Sequence, residues 1–350
     1  MFDSGFSFSN NVSTPFLGGL LISLASTLNL WYKGRITGWS GIFFNLISFD
    51  RSKLHYTLSI IAGLLLASTL AWEKYGYGSY RDVYLFDAPQ IFIAGLDFVG
   101  WILAGFLVGF GTKLGNGCTS GHGVCGLPRF SSRSIAAVAV FMVTAMATAT
   151  FRSKEPFLNH TVWITETARS DTDFNAHVAF IAAIAIIIIC LVLNRDGSDG
   201  IKDILVSTGV GFIFACGLML AGMTRKTRVL KFLTISDNWD PSLGFVMLGA
   251  VLGNLVTFWY ILRIKGSPAA GGSFDIPSYT RIDTKLLVGA GLFGVGWGMC
   301  GICPGPALAV FPFYFPHMLA LFIPSMAVGQ IVAAHVDSRW TDPYSFQLFD

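Results

Sequence analysis

Apolar residues run through this chain in long unbroken stretches, not in the alternating or three-to-four-residue rhythm of a water-exposed domain. Nine stretches come close to the roughly 20 residues needed to cross the hydrocarbon of a bilayer: 15–32, 56–72, 88–110, 134–150, 175–193, 204–221, 242–262, 285–297 and 317–334. The eighth is short and rich in glycine. Charge collects between them, as at Lys33 and Arg35, Arg51 and Lys53, Arg152 to Glu155, Arg195 to Asp203, Arg225 to Lys231, and Arg263 with Lys265. The longest polar insertion is 155–173, and NRDGSDG at 194–200 divides the chain near its middle. The pattern predicts an all-α polytopic membrane protein of two halves, 1–194 and 195–350, forming one integral membrane domain.

Composition agrees. Of 350 residues, 53% are hydrophobic and 12% charged, about half the charged share of a soluble protein, and mean hydropathy is +0.62. So few charges cannot cover a soluble surface of this size, which excludes soluble enzymes and secreted scaffolds. A net charge of +3 carries no nucleic-acid signal, and six cysteines are too few for a disulfide framework. No basic region precedes the first apolar stretch, so it reads as a retained span and not a cleaved leader. Lys and Arg are more numerous on the side reached by Lys33, Arg35, Lys53 and Lys113. The positive-inside rule then puts the N-terminus outside and the C-terminus in the cytoplasm, in a plasma (cell inner) membrane. Tryptophans such as Trp31, Trp72 and Trp340 suit interfacial belts.

The chain also repeats. Four times a glycine-spaced apolar stretch runs into a short loop and a short apolar segment: 18–44, 105–130, 211–233 and 291–311. Repeated, glycine-interrupted hydrophobic segments predict short half-inserted elements around a central site, because irregular backbone survives at membrane depth only where it lines a cavity or is buried in protein. Close helix packing accounts for glycines such as Gly105 and Gly109, but not for the polar run GNGCTSGHGVCG at 115–126.

Two of the four loops carry chemistry. Around Cys118, the residues Gly117, Thr119, Ser120, Gly121 and His122 offer backbone N–H groups, hydroxyls and an imidazole to an anion. In GMCGICPGP, Cys303 precedes Pro304, which is at home in a first helical turn; a short helix through Gly305 would point its positive end at the thiol. Cys125 takes a supporting role. Cys190 and Cys216, alone in apolar runs, read as packing residues. Cys300 and Cys303, with Cys118, His122 and Cys125, also match the composition of a metal site, but the scarcity of acidic and lysine partners weighs against metal or cofactor. Asp97, within an apolar run, marks either a proton-coupling site or a span that starts later. Lys113 attracts an anion to the mouth or merely snorkels. Arg225, Lys226, Arg228 and Lys231 read as an interface cluster.

GNGCTSGHGVCGLPRFSSRS resembles the signature of the YeeE/YedE family of sulfur-compound transporters, and WGMCGICPGPAL, GLMLAGMTRKTRVLKFL and DNWDPSLGFVMLG resemble the motifs of its companion half. The resemblance spans nearly the whole chain, with both halves fused. It implies an hourglass-like, pseudo-symmetric importer with inward-slanting short helices and Cys118 and Cys303 at the constriction. The implied cargo is thiosulfate or a similar sulfur anion, with the lipid bilayer and a cytosolic sulfur carrier or sulfurtransferase as partners. Relatives can use a third thiol, and the loops near Arg35 and Thr224 hold none. The alternative class is a membrane sulfurtransferase or redox protein using Cys118 with Cys300 and Cys303 covalently.

Overall fold

The computed structural model describes residues 8–80, 83–158, 197–237, 239–315 and 317–339. Among these, seven helices are long and apolar enough to cross a membrane. An eighth is added if Phe98–Leu114 and Thr119–Arg129, bent by 45° at their junction, count as one broken span. The fold is an all-α polytopic membrane protein. The stretch 175–193 lies outside the described residues.

One unit, a long helix, a short element and a second long helix, occurs four times. The first has α1 (Phe8–Lys33), α2 (Trp39–Ile47) and α3 (Leu54–Tyr75). A two-residue hairpin, β1 (Ser79–Tyr80) and β2 (Val83–Tyr84), and the short α4 (Pro89–Ile93) follow. The second has α5 (Phe98–Leu114), a π-helical turn (Thr119–Gly126) and α6 (Ser132–Lys154). The third has α7 (Gly197–Ala221), α8 (Lys226–Leu233) and α9 (Ser242–Tyr260). The fourth has α10 (Thr284–Cys300), α11 (Pro304–Val310) and α12 (Ile323–Arg339).

The break after each leading helix has one cause. Gly34, Asn116, Gly222 and Gly301 sit just beyond α1, α5, α7 and α10 with φ of 69°, 54°, 70° and 71°. Glycine and asparagine reach this left-handed region at least cost and so stop a helix there. The chain then runs extended through Gly38, Cys118, Arg225 and Cys303 before the short element begins. These four residues hold the same place in their units.

The units pack crosswise. α1 lies against α7 and α9, and α3 against α7; α5 lies against α10 and α12, and α6 against α10. The first unit is thus paired with the third and the second with the fourth, which places elements of both chain halves around one interior. Small residues permit the close approach: a Cβ on Gly111 of α5 would lie 2.7 Å from Phe293 Cα of α10.

Three expectations need correction. The third apolar stretch does not run unbroken over 88–110. Asp97 accepts a hydrogen bond from Gly100 N (2.7 Å) and caps α5, which starts only at Phe98. An N-capping carboxylate explains an acidic residue inside an apolar run. Trp72 lies in the interior, not in an interfacial belt, stacked on Phe313 with ring centroids 4.7 Å apart. The basic run 225–231 is a set of internal ties: Arg225 pairs with Asp87 (3.2 Å) and Arg228 with Asp240 (3.7 Å), and Lys226 is buried.

Candidate functional site

The short elements enter from two ends. At one end, Ser40 and Gly41 of α2 and Gly117 and Gly121 of the second loop line an open vestibule of about 520 Å³. Arg35, Lys53, Lys113, Tyr56, Asn116 and Gln330 share its wall. Lys113 Nζ lies 3.5 Å from the Phe44 ring centroid, a cation–π contact. At the other end, α8 packs against α6, α10 and α9. There Lys226 donates to Ala94 O (2.6 Å), and Arg152, in the last turn of α6, donates to Met299 O (2.7 Å). Burial pushes the Lys226 ammonium down to about 8. Asp87, also buried, accepts from Thr227 N (3.0 Å), Thr227 Oγ1 (2.6 Å) and Arg225 Nε, while its carbonyl accepts from Tyr314 OH (2.8 Å). Thr224 adds a hydrogen bond to Leu85 O. These bonds strap the chain before α4 across this end.

Between the ends lies a small cavity of about 20 Å³, room for about one water molecule. Cys118, Thr119 and Ser120 line it from one side and Cys303, Gly305 and Pro306 from the other, with Trp39, Met223 and Met247 completing a wall of mixed sulfur and aromatic character. Thr119 Oγ1 donates to Cys303 Sγ (3.4 Å) across 184 positions of sequence. Cys118 Sγ and Ser120 Oγ are 3.3 Å apart, and Ser120 Oγ accepts from Trp39 N (3.1 Å). Hydrogen bonds from the Cys118 loop therefore reach two other short elements, α2 through Ser120 and α11 through Thr119. All these side chains are buried, and the cysteines are free thiols.

The other predicted site residues stand apart from this cavity. Gly117 and Gly121 face the vestibule. His122 is buried beneath the loop, 3.1 Å from Gly115 O through Nε2 and 3.1 Å from Ser134 Oγ through Nδ1. A carbonyl only accepts, so Nε2 carries the proton and the ring ties the loop to α6. Cys125 is fully buried one turn on, with Arg129 Nε donating to its carbonyl (2.9 Å). Cys300 Sγ points back along α10, within 3.2 Å of Gly296 O, and receives Ile302 N (3.4 Å). Among the described residues no three His, Cys, Asp or Glu side chains gather as a ligand set. Cys216 is half-buried, and Cys190 lies outside the described residues.

Trp39 escaped the sequence reading. It is one of nine tryptophans, and only its place directly after the break that follows Gly34 distinguishes it. Asn254 was also missed. It accepts from Ser23 Oγ (3.0 Å) and donates to Val124 O (2.8 Å), so α1, α9 and the Cys118 loop are joined through one buried amide.

Residues 202–341 match a family of unknown function, DUF6691. Proteins named "Probable transporter" are similar to parts of the chain. One from Xylella fastidiosa (strain Temecula1) is 38% identical over 128 residues, covering 36% of this chain and 85% of the relative. Another from the same strain is 37% identical over 142 residues, covering 39% of this chain and 92% of the relative. A third, from strain 9a5c, is 38% identical over 128 residues, 36% of this chain and 86% of its own length.

Proposed function

This chain belongs to the family of those Xylella transporters, and from that premise we propose that it takes up thiosulfate or a related sulfur-containing anion through the cavity between Cys118 and Cys303. The observation that carries the reading is the convergence of the two thiols. They come from corresponding places in the second and fourth units, line one cavity, and are linked through Thr119. Two relatives from one strain each match little more than a third of this chain over most of their own length; we read 1–194 and 195–350 as fused partners in a pseudo-symmetric, hourglass-like transporter.

The chemistry suits the cargo. A doubly charged oxyanion loses its water at the narrow point, and an uncompensated buried charge costs many kcal/mol. Thiols, hydroxyls and backbone N–H groups replace that water with weak donors, so the ion enters without being trapped. Polarizable sulfur from Cys118, Cys303, Met223 and Met247 matches the soft terminal sulfur of thiosulfate. Transient S–H···S and S–H···O contacts move the ion with no covalent change. A cavity the size of one water is the closed state, and passage requires the short elements to part. The vestibule, walled in part by Arg35, Lys53 and Lys113, receives the ion as it leaves the constriction. It faces the cytoplasm if the N-terminus lies outside, as the Lys and Arg bias suggests.

The test is growth of a strain unable to take up sulfate, with thiosulfate as sole sulfur source. The wild-type chain restores growth and Cys303→Ala does not; equal growth with both removes the role given to Cys303. Cys118→Ser retains part of the uptake under hydrogen-bond relay and none under a covalent mechanism.

A further inference from the structure

The Trp39 indole is fully buried, yet its Nε1 has no hydrogen-bond partner among the described residues. Every other side-chain nitrogen or oxygen lining the thiol cavity has one. Leaving an N–H buried and unpaired costs a measurable share of a protein's stability, so such a group calls for a reason.

Position supplies one. Trp39 stands in the first unit where Thr119 stands in the second, directly after the extended break residue. Its neighbours Gly38, Ser40 and Gly41 line the vestibule while Trp39 itself lines the thiol cavity, so this one segment borders both spaces. Its backbone N–H is fixed on Ser120 Oγ (3.1 Å), and its ring centroid lies 5.1 Å from that of Phe214. The ring edge nearest Gly305 is the five-membered one: a Cβ on Gly305 would meet Cδ1 and Cγ at 3.2 Å each. Cδ1 is bonded to Nε1, and Gly305 lines the cavity beside Cys303. The unpaired N–H thus belongs to a ring that lines the cavity shared by Cys118 and Cys303.

We propose that Trp39 is a selectivity residue of the passage, its indole N–H donating to an oxygen of the sulfur oxyanion while Cys118 and Cys303 engage the sulfur. This rests on the transport reading above. Indole donates and never accepts, so it favours anions and rejects a group that itself must donate. It carries no formal charge, so it adds recognition without the grip of a lysine. The closed state leaves the donor idle, and the arriving ion supplies its acceptor.

The experiment replaces Trp39 in the full-length chain with 3-benzothienylalanine, which keeps the ring's shape and lacks the N–H. Thiosulfate uptake is measured in proteoliposomes beside the wild type and Cys303→Ala. A hydrogen bond to a charged partner converts to a rise in KM of roughly tenfold to a hundredfold, with the maximal rate little changed. A second readout is the nitrogen-labelled indole resonance of Trp39 in the wild type, which shifts on adding thiosulfate but not sodium chloride. An unchanged KM and an unmoved resonance, with Cys303→Ala inactive, overturn the role of Trp39 alone and leave the donor to a trapped water. Unimpaired uptake by Cys303→Ala overturns the transport reading beneath it.

Discussion

Gly305→Ala separates passage from stability. Gly305 is buried at the second position of α11 and lines the thiol cavity. An added Cβ would lie 3.2 Å from Trp39 Cδ1 and Cγ and 3.6 Å from its Cβ. Those contacts are tight, but a shift of a few tenths of an ångström relieves them. Alanine gains up to about 1 kcal/mol of helix propensity over glycine. It gives part of that back because Pro306 follows, and proline crowds the helical conformation of the residue before it. Net stability therefore changes by about 1 kcal/mol or less. The cavity has no such margin, since about 20 Å³ already limits it to one water, and a methyl group takes that space. Overpacking a filled site costs roughly 1–3 kcal/mol, which converts to about a fivefold to hundredfold loss when the cost falls on the ion-occupied state. Purified Gly305→Ala should melt within a few degrees of wild type in detergent and take up radiolabelled thiosulfate slowly in proteoliposomes. Full uptake by a stably folded variant would refute the reasoning.

Two further outcomes follow from the same geometry. Thr119→Val keeps the side chain's shape but removes the donor to Cys303 Sγ. A neutral hydrogen bond of about 0.5–1.5 kcal/mol predicts a twofold to tenfold rise in KM for thiosulfate uptake, with little change in melting temperature. Lys226 predicts a pH dependence of stability. Burial lowers its folded pKa from 10.5 to about 8, so below pH 8 both folded and unfolded chains carry the proton and stability is flat. Between pH 8 and 10.5 the unfolded chain binds more protons, and folding is favoured increasingly as pH rises, by up to about 3 kcal/mol in total. Thermal unfolding at pH 7.5 and pH 10 should show this rise in wild type and not in Lys226→Met; parallel curves would count against a buried ammonium there.

Much of the scaffold could be read from residue order because the membrane imposes a simple demand. Long apolar runs between charged loops yield α3, α6 and α9 within a few residues, and the C-terminal ends of α1 and α7, which begin seven residues earlier than apolarity marks. The four-unit plan was readable because the breaks need glycine or asparagine at positive φ, and Gly34, Asn116, Gly222 and Gly301 announce them. The start of α5 was not, since apolarity alone cannot tell the separate turn Pro89–Ile93 from a span, and only the Asp97 cap marks the boundary. Tertiary pairing was harder still. Asp87 and Arg225 are 138 positions apart, so the basic run near 225 reads as an interface cluster until its partner is in place. In the site, the polarity of the Cys118 loop drew attention to Cys118, Thr119 and Ser120, and the proline after Cys303 drew it to Cys303 and Gly305. Trp39 carries no such local sign. What sets it apart is a missing hydrogen bond and a place beside two distant thiols, neither of which is a property of sequence.

The most direct measurement of the central claim is initial-rate uptake of radiolabelled thiosulfate into proteoliposomes by wild type, Cys118→Ala, Cys303→Ala and Cys300→Ala. Cys300 is a suitable control because it is equally buried but bonded back to Gly296 O, outside the cavity. The account predicts that removing Cys118 or Cys303 each cuts uptake severely while Cys300→Ala keeps most of it. Uptake that survives the loss of both Cys118 and Cys303, or that depends on Cys300 instead, would contradict it.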